Sequence, residues 1–221
     1  MGQNGKIKND MVRKYNQIDH FVELIADYLK KLDGKIEVLD CACGKSYLSF
    51  ALNYYLRDVL KKDCHVTGVD YSEVVIEASK KSAKNLGYTN MTFVKADLTT
   101  YKPERKPDVV ISLHACDIAT DIVLMKAAEW RTDVILSTPC CHHELNHNID
   151  CEALSFITEH SMLRQKLCDA ATDALRLKIL EAHGYKTAAL ELIDPEETPK
   201  NILLRAIKKP NTPANLKKAD A

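Results

Sequence analysis

Apolar residues recur along this chain in two alternating rhythms. Between Asp10 and Leu32 they fall at Ile18, Phe21, Val22, Ile25, Tyr28, Leu29 and Leu32, one stripe of a helix that Gly34 ends. Ile36, Val38 and Leu39 then read as a buried strand, and Leu48, Leu52, Tyr55, Leu56 and Val59 return to helical spacing. The exchange repeats with a strand at His65–Asp70, a helix over Glu73–Leu86 stopped at Gly87, and a strand at Met91–Asp97. The connection Thr99–Pro107 holds two prolines and is too short for a crossover helix. A strand at Asp108–Leu113, a helix to about Trp130 and a strand at Asp133–Ser137 follow. Helices fill Glu152–Ala182, and two strands, Tyr185–Ile193 and Ile202–Lys208, flank the turn Asp194–Pro199.

This alternation predicts an α/β fold: a doubly wound, mostly parallel seven-stranded sheet with an antiparallel edge strand and an N-terminal helix. The expected organisation is a flexible N-terminus over residues 1–9, one domain over 10–209 and a flexible tail over 210–221. In such a sheet the ligand lies beyond the carboxyl ends of the central strands. Asp40, Asp70, Asp97, His114 and the segment 138–144 all follow strand ends, so they are candidates for one site.

Composition narrows the picture only a little. The 221 residues suit one sizeable core, and Lys plus Arg balance Asp plus Glu, so no global nucleic-acid footprint shows. Basic runs at both ends read as solvated termini. Eight cysteines without a signal peptide predict a reducing cytoplasm, and no apolar run approaches membrane-spanning length. A membrane partner is therefore not expected, and nothing points to an obligate protein partner.

The turn from Asp40 to Leu48 carries the first chemistry. Small residues alternate at Ala42, Gly44 and Ser46, letting a backbone approach a ligand at a helix N-terminus. Gly44-Lys45-Ser46 resembles the end of a P-loop, but Leu39 stands where that motif needs glycine, and a dinucleotide fingerprint needs more glycines than one. What remains is the acid-x-small-x-Gly-x-small pattern of S-adenosylmethionine (SAM) sites, or an ordinary βα turn. For SAM, Asp40 accepts from the methionine ammonium or holds the loop, Asp70 accepts the ribose hydroxyls, and Asp97 accepts the adenine amino group while the Leu98 N–H donates to the ring. Cys41, Ala42, Gly44, Tyr71 and Leu113 complete the expected cofactor set. Each acid has the alternative role of a helix N-cap.

Cys140-Cys141-His142-His143 is the most unusual chemistry. It can be read as zinc ligands completed by His114, Cys116, His147 or Cys151, although adjacent pairs fit zinc spacing poorly. It can also be read as a cysteine nucleophile, as packing, or as a histidine base beside a transferred methyl group. The last is favoured for His142 or His143, with no metal expected.

Taken together, Asp40–Leu48, Ser112–Asp121 and Pro139–Leu145 resemble a family of class I SAM methyltransferase domains found in bacterial stand-alone and eukaryotic methyltransferase-like proteins. The resemblance runs on through Thr172–Arg176 and Glu197–Asn201 and implies a Rossmann-like fold, with SAM as cofactor and S-adenosylhomocysteine as product. The second and third motifs are also similar to those of tRNA ribose methyltransferases that modify the acceptor stem, which implies RNA as a possible substrate. Methyl transfer to a hydroxyl needs a base, His142 or His143, with His114 nearby and Asp121 fixing a tautomer; transfer to a ring nitrogen needs none. Asp173, Arg176, Lys200 and Asn201 can hold acceptor or phosphate, Arg176 alternatively being an exposed helix charge. The rivals are a methyltransferase acting on protein or a small molecule, a SAM-binding module without catalysis, and a zinc-binding regulatory domain.

Overall fold

The structure, a computed structural model, describes residues 9–113, 115, 118–139, 142–192 and 201–210. Strands β1 (Ile36–Cys41), β2 (Cys64–Asp70), β3 (Met91–Lys95), β4 (Val109–Leu113), β5 (Val134–Thr138), β6 (Tyr185–Glu191) and β7 (Ile202–Lys208) form one sheet in the order β3-β2-β1-β4-β5-β7-β6. The first five pair in parallel. The expected antiparallel pairing lies at the β6 edge, where β7, one place in, runs against both neighbours. A connection too short for a crossover imposes that reversal.

The helices are α1 (Asn9–Lys31), α2 (Tyr47–Tyr54), α3 (Glu73–Asn85), α4 (Ile118–Glu129), α5 (His143–Asn148), α6 (Ser155–Thr158) and α7 (Ser161–Ala182). Strand residues alternate between two cores. Ile36, Val38, Phe93, Ile111 and Leu136 meet Phe21, Ile25 and Leu29 of α1 and Leu52 of α2 on one face. Leu39, Val110 and Ile135 meet Val123, Leu124 and Ala127 of α4 and Leu180 of α7 on the other. Tyr185 buries its ring in this second core and donates its hydroxyl to the Thr132 carbonyl at 2.9 Å.

Three elements differ from the periodicity. The helix after the glycine loop leaves α geometry at Tyr55–Val59, where a π turn closes with the Leu60 N–H donating to the Tyr55 carbonyl at 2.9 Å. The helices expected over Glu152–Ala182 are a 3-10 turn at Glu152–Leu154, then α6, then α7 after a break at Glu159–His160. β3 stops at Lys95, two residues before Asp97.

As the two prolines suggest, no helix spans the β3–β4 connection. The second face of β1–β3 is left as a groove of about 410 Å³ in which Glu37, His65, Thr67 and Thr92 lie under Tyr101 and Arg105. Residues 1–8 and 211–221, most of the expected flexible ends, lie outside the described residues, as does the turn Asp194–Pro199. No described helix is long and apolar enough to cross a membrane.

Candidate functional site

The loop after β1 is built on left-handed backbone. Ala42, Gly44 and Ser46 have φ of 56°, 50° and 57°. The alternation of small residues therefore answers a conformational demand that costs any residue with a Cβ about 1–2 kcal/mol. The loop is tied to β2: the Cys43 N–H donates to the Val69 carbonyl at 3.1 Å, and the Gly44 N–H donates to Asp70 Oδ2 at 2.9 Å. The other Asp70 oxygen accepts the Ser72 N–H at 2.8 Å. Gly68 is required for this approach, because a Cβ there would stand 2.7 Å from the Phe93 ring and 3.0 Å from Cys43 Sγ.

Above the loop opens a cleft of about 480 Å³, lined by Asp40 and Asp70 at the strand ends, Ala42–Leu48, Leu113 at the end of β4, and Gln17 and Ile18 of α1. It lies where the strand order turns from β1 to β4, the expected position for a ligand in a doubly wound sheet. Asp40 is 2 % exposed and accepts the hydroxyl of Ser49. Burial pushes its carboxyl up to about 7, against the Ser49 hydrogen bond and with the Asp70 charge adding to the rise. Burial likewise pushes the Cys43 thiol up to about 12 and the Cys41 thiol higher, so neither is set up as a thiolate nucleophile.

A second cleft, of about 320 Å³, lies between α5 and α7 and shares no lining residue with the first. At its base a charge cluster runs through three elements. His142, 4 % exposed, places Nε2 at 2.9 Å from Asp173 Oδ1, and its Nδ1 lies 3.4 Å from Asp169 Oδ1, outside hydrogen-bond geometry. Arg176 donates from Nη1 to the same Asp173 oxygen at 3.2 Å, and from Nε and Nη2 to the two oxygens of Asp121 at 2.7 and 3.0 Å. Leu175 and Ile179 form an apolar wall, with Glu144 and Asn148 opposite.

A family model described as a methyltransferase domain matches residues 13–148, more than half of the chain and every residue lining the larger cleft. The chain belongs to the methyltransferase domain family. Among curated proteins, a glutathione S-transferase C-terminal domain-containing protein of Mus musculus is 23% identical over 227 aligned positions, covering 90% of this chain and 34% of that protein. An (S)-tetrahydroprotoberberine N-methyltransferase of Eschscholzia californica is 26% identical over 149 positions, covering 66% and 40%. The chain thus spans about a third of the length of the first of these relatives. Among solved structures, magnesium protoporphyrin IX methyltransferase from Synechocystis PCC 6803 with bound SAM superposes with a TM-score of 0.57 at 21% identity, over 93% of this chain and 86% of that one. An rRNA methylase from Streptococcus thermophilus gives 0.56 at 14% identity, over 86% and 96%. At these identities the likeness is one of fold.

Within this methyltransferase domain, Asp40, Ala42, Gly44, Asp70 and Leu113 share the larger cleft. Asp97 does not join them: its carboxylate accepts from the Thr99 N–H at 2.8 Å and the Thr99 hydroxyl at 2.7 Å, bonds that hold it below the usual carboxylate range. Leu98 packs half-buried on the second core, Cys41 is buried in that core, and Tyr71 is 77 % exposed. Among the described residues, Asp121 holds no histidine. It pairs with Arg176, because α4 and α7 lie side by side on one face, and Asp173 holds His142 instead. Arg176 is buried rather than an exposed helix charge. Asn201 is buried beside β7, and its carbonyl accepts the Leu192 N–H at 2.9 Å. His114, Cys116, Cys140, Cys141 and Lys200 lie outside the described residues, as does the side chain of His143, whose backbone opens α5. Among the described residues no three His, Cys, Asp or Glu side chains gather as metal ligands. Gln17 and Ile18 of the cleft were not read as site residues; their only signal was the placement of Ile18 on the α1 stripe.

Proposed function

We propose that this chain is a SAM-dependent methyltransferase whose cofactor occupies the cleft above Asp40–Leu48, with RNA as the methyl acceptor. The observation that carries the reading is the pairing of Asp40 and Asp70 beneath a left-handed loop at the β1–β4 turn of the sheet. An ionised carboxylate offers about four acceptor positions. Asp70 uses two on Gly44 and Ser72, so two remain for the hydroxyls of a ribose. Asp40 faces the amino-acid end, and the small residues of the loop leave the backbone open to it.

The cofactor supplies an electrophilic methyl group on a sulfonium, and the protein's task is to align the acceptor with it. His142, with its ring nitrogens facing Asp173 and Asp169, fastens the start of α5 to α7. His143 and His114 are then the groups to take a proton from an acceptor hydroxyl. RNA as acceptor is supported by the similarity of Ser112–Asp121 and Pro139–Leu145 to acceptor-stem methyltransferases. A small amine is the second reading, supported by the alkaloid N-methyltransferase relative and needing no base.

Calorimetry tests the cofactor. S-adenosylhomocysteine binds the wild type, and Asp70→Asn, which loses one acceptor oxygen, weakens that binding by about 1–3 kcal/mol, roughly 5- to 150-fold. Unchanged affinity would place the ligand elsewhere. Tritiated SAM offered with RNA and metabolite fractions decides the acceptor, label in the metabolites alone removing RNA.

A further inference from the structure

Asp40 and Asp70 share one cleft but are served very differently. Asp70 receives two backbone N–H donors, whereas the side-chain partner of Asp40 among the described residues is one hydroxyl, that of Ser49. Among the described residues, the surrounding elements bring no countercharge to Asp40. α1 presents Gln17 and Ile18, α2 presents Tyr47 and Ser49, β4 ends in Leu113, and β2 adds the charge of Asp70. Lys45 is the cationic side chain in the lining, and it is exposed to solvent. The thiols of Cys41 and Cys43, beside Asp40 in the chain, are held protonated by burial.

We infer that Asp40 is a cation sensor: it surrenders its proton to solvent when an ammonium-bearing adenosyl ligand enters the cleft, and keeps it when the ligand lacks that group. This rests on the cofactor reading above. The physical ground is that a buried carboxylate is disfavoured until a countercharge arrives, and the ligand's ammonium is a countercharge that the described residues do not supply. The carboxyl of the ligand-free protein, raised to about 7, is poised for the exchange at neutral pH. At about pH 6 and below, close to one proton leaves for each ligand bound, and the cleft thereby distinguishes an adenosyl amino acid from a bare methylthioadenosine.

The test is titration calorimetry in pairs of buffers that differ in ionisation heat, with S-adenosylhomocysteine and 5′-methylthioadenosine as probes. With S-adenosylhomocysteine the wild type releases close to one proton at about pH 6 and close to none at about pH 8.5, and its affinity rises about tenfold from about pH 6 to about pH 8. Methylthioadenosine binding releases none. Asp40→Asn abolishes the release, and Ser49→Ala moves its midpoint to higher pH by removing the bond that favours the carboxylate. S-adenosylhomocysteine binding without proton release at about pH 6, or release that survives Asp40→Asn or is unmoved in Ser49→Ala, overturns the inference and leaves the cofactor reading standing. If neither probe binds the wild type at any pH, the cofactor reading and the inference fall together.

Discussion

Ala42 and Ser46 take the same left-handed backbone for different returns. Ser46 is buried and its hydroxyl meets that of Ser79 at 2.9 Å, which offsets part of its conformational cost, whereas Ala42 has only a methyl group to set against it. Ala42→Gly is therefore expected to raise stability by about 1 kcal/mol and Ser46→Gly to bring no gain, both read as shifts in the urea midpoint. The sequence revealed that small residues alternate here. It did not reveal their dihedral angles, which depend on the Cys43–Val69 and Gly44–Asp70 hydrogen bonds to a distant strand. Strand geometry explains where the side chains next to the two acids go. Successive side chains point to opposite faces, so Cys41, next to Asp40, turns into the far core, while Tyr71 follows β2 out into solvent.

At the scale of elements, α7 binds the C-terminal half together through its ion pairs. Asp173 is buried and serves His142 and Arg176 with one oxygen, so Asp173→Ala takes a carboxylate from a buried guanidinium and from a buried imidazole together and should cost about 3 kcal/mol. The side chain of Asp121 is 45% exposed, and Asp121→Ala should cost less than about 1 kcal/mol. Denaturant unfolding of the two variants distinguishes a cluster centred on Asp173 from one centred on Asp121. Strand and helix identities were legible because apolar period alone determines them. The Asp121–Arg176 contact was not, since its partners stand 55 residues apart and meet only through helix packing. The π turn at Tyr55–Val59 escaped for a related reason: one added residue in a turn leaves the apolar spacing almost unchanged.

For the molecule as a whole, Asp40 gives stability an unusual dependence on pH. Its carboxyl is raised, so between the unfolded value near 4 and the folded value of about 7 the native state holds a proton that the unfolded chain has released. The stabilising contribution is complete below that window and is lost as pH climbs through it, a fall of about 4 kcal/mol. The lowered carboxyls of Glu73, Asp97 and Glu181 sit in solvent and add little in the opposite direction. Thermal melts should show stability declining from about pH 5 to about pH 8 in the wild type, with Asp40→Asn flattening the decline. The fold itself was largely readable, because a βα alternation leaves few topologies. The roof that Gln17 and Ile18 place over the cleft was not, because nothing in the α1 stripe says which strand ends it crosses.

The bare flank of β1–β3 has a practical consequence. Thr67 stands there on the strand whose end carries Asp70, and Thr92 stands beside it in register, open to water. A fluorinated or fluorescent reporter at Thr92 would watch the carboxylate end of that strand from behind the sheet, leaving the entrance used by any incoming molecule unobstructed.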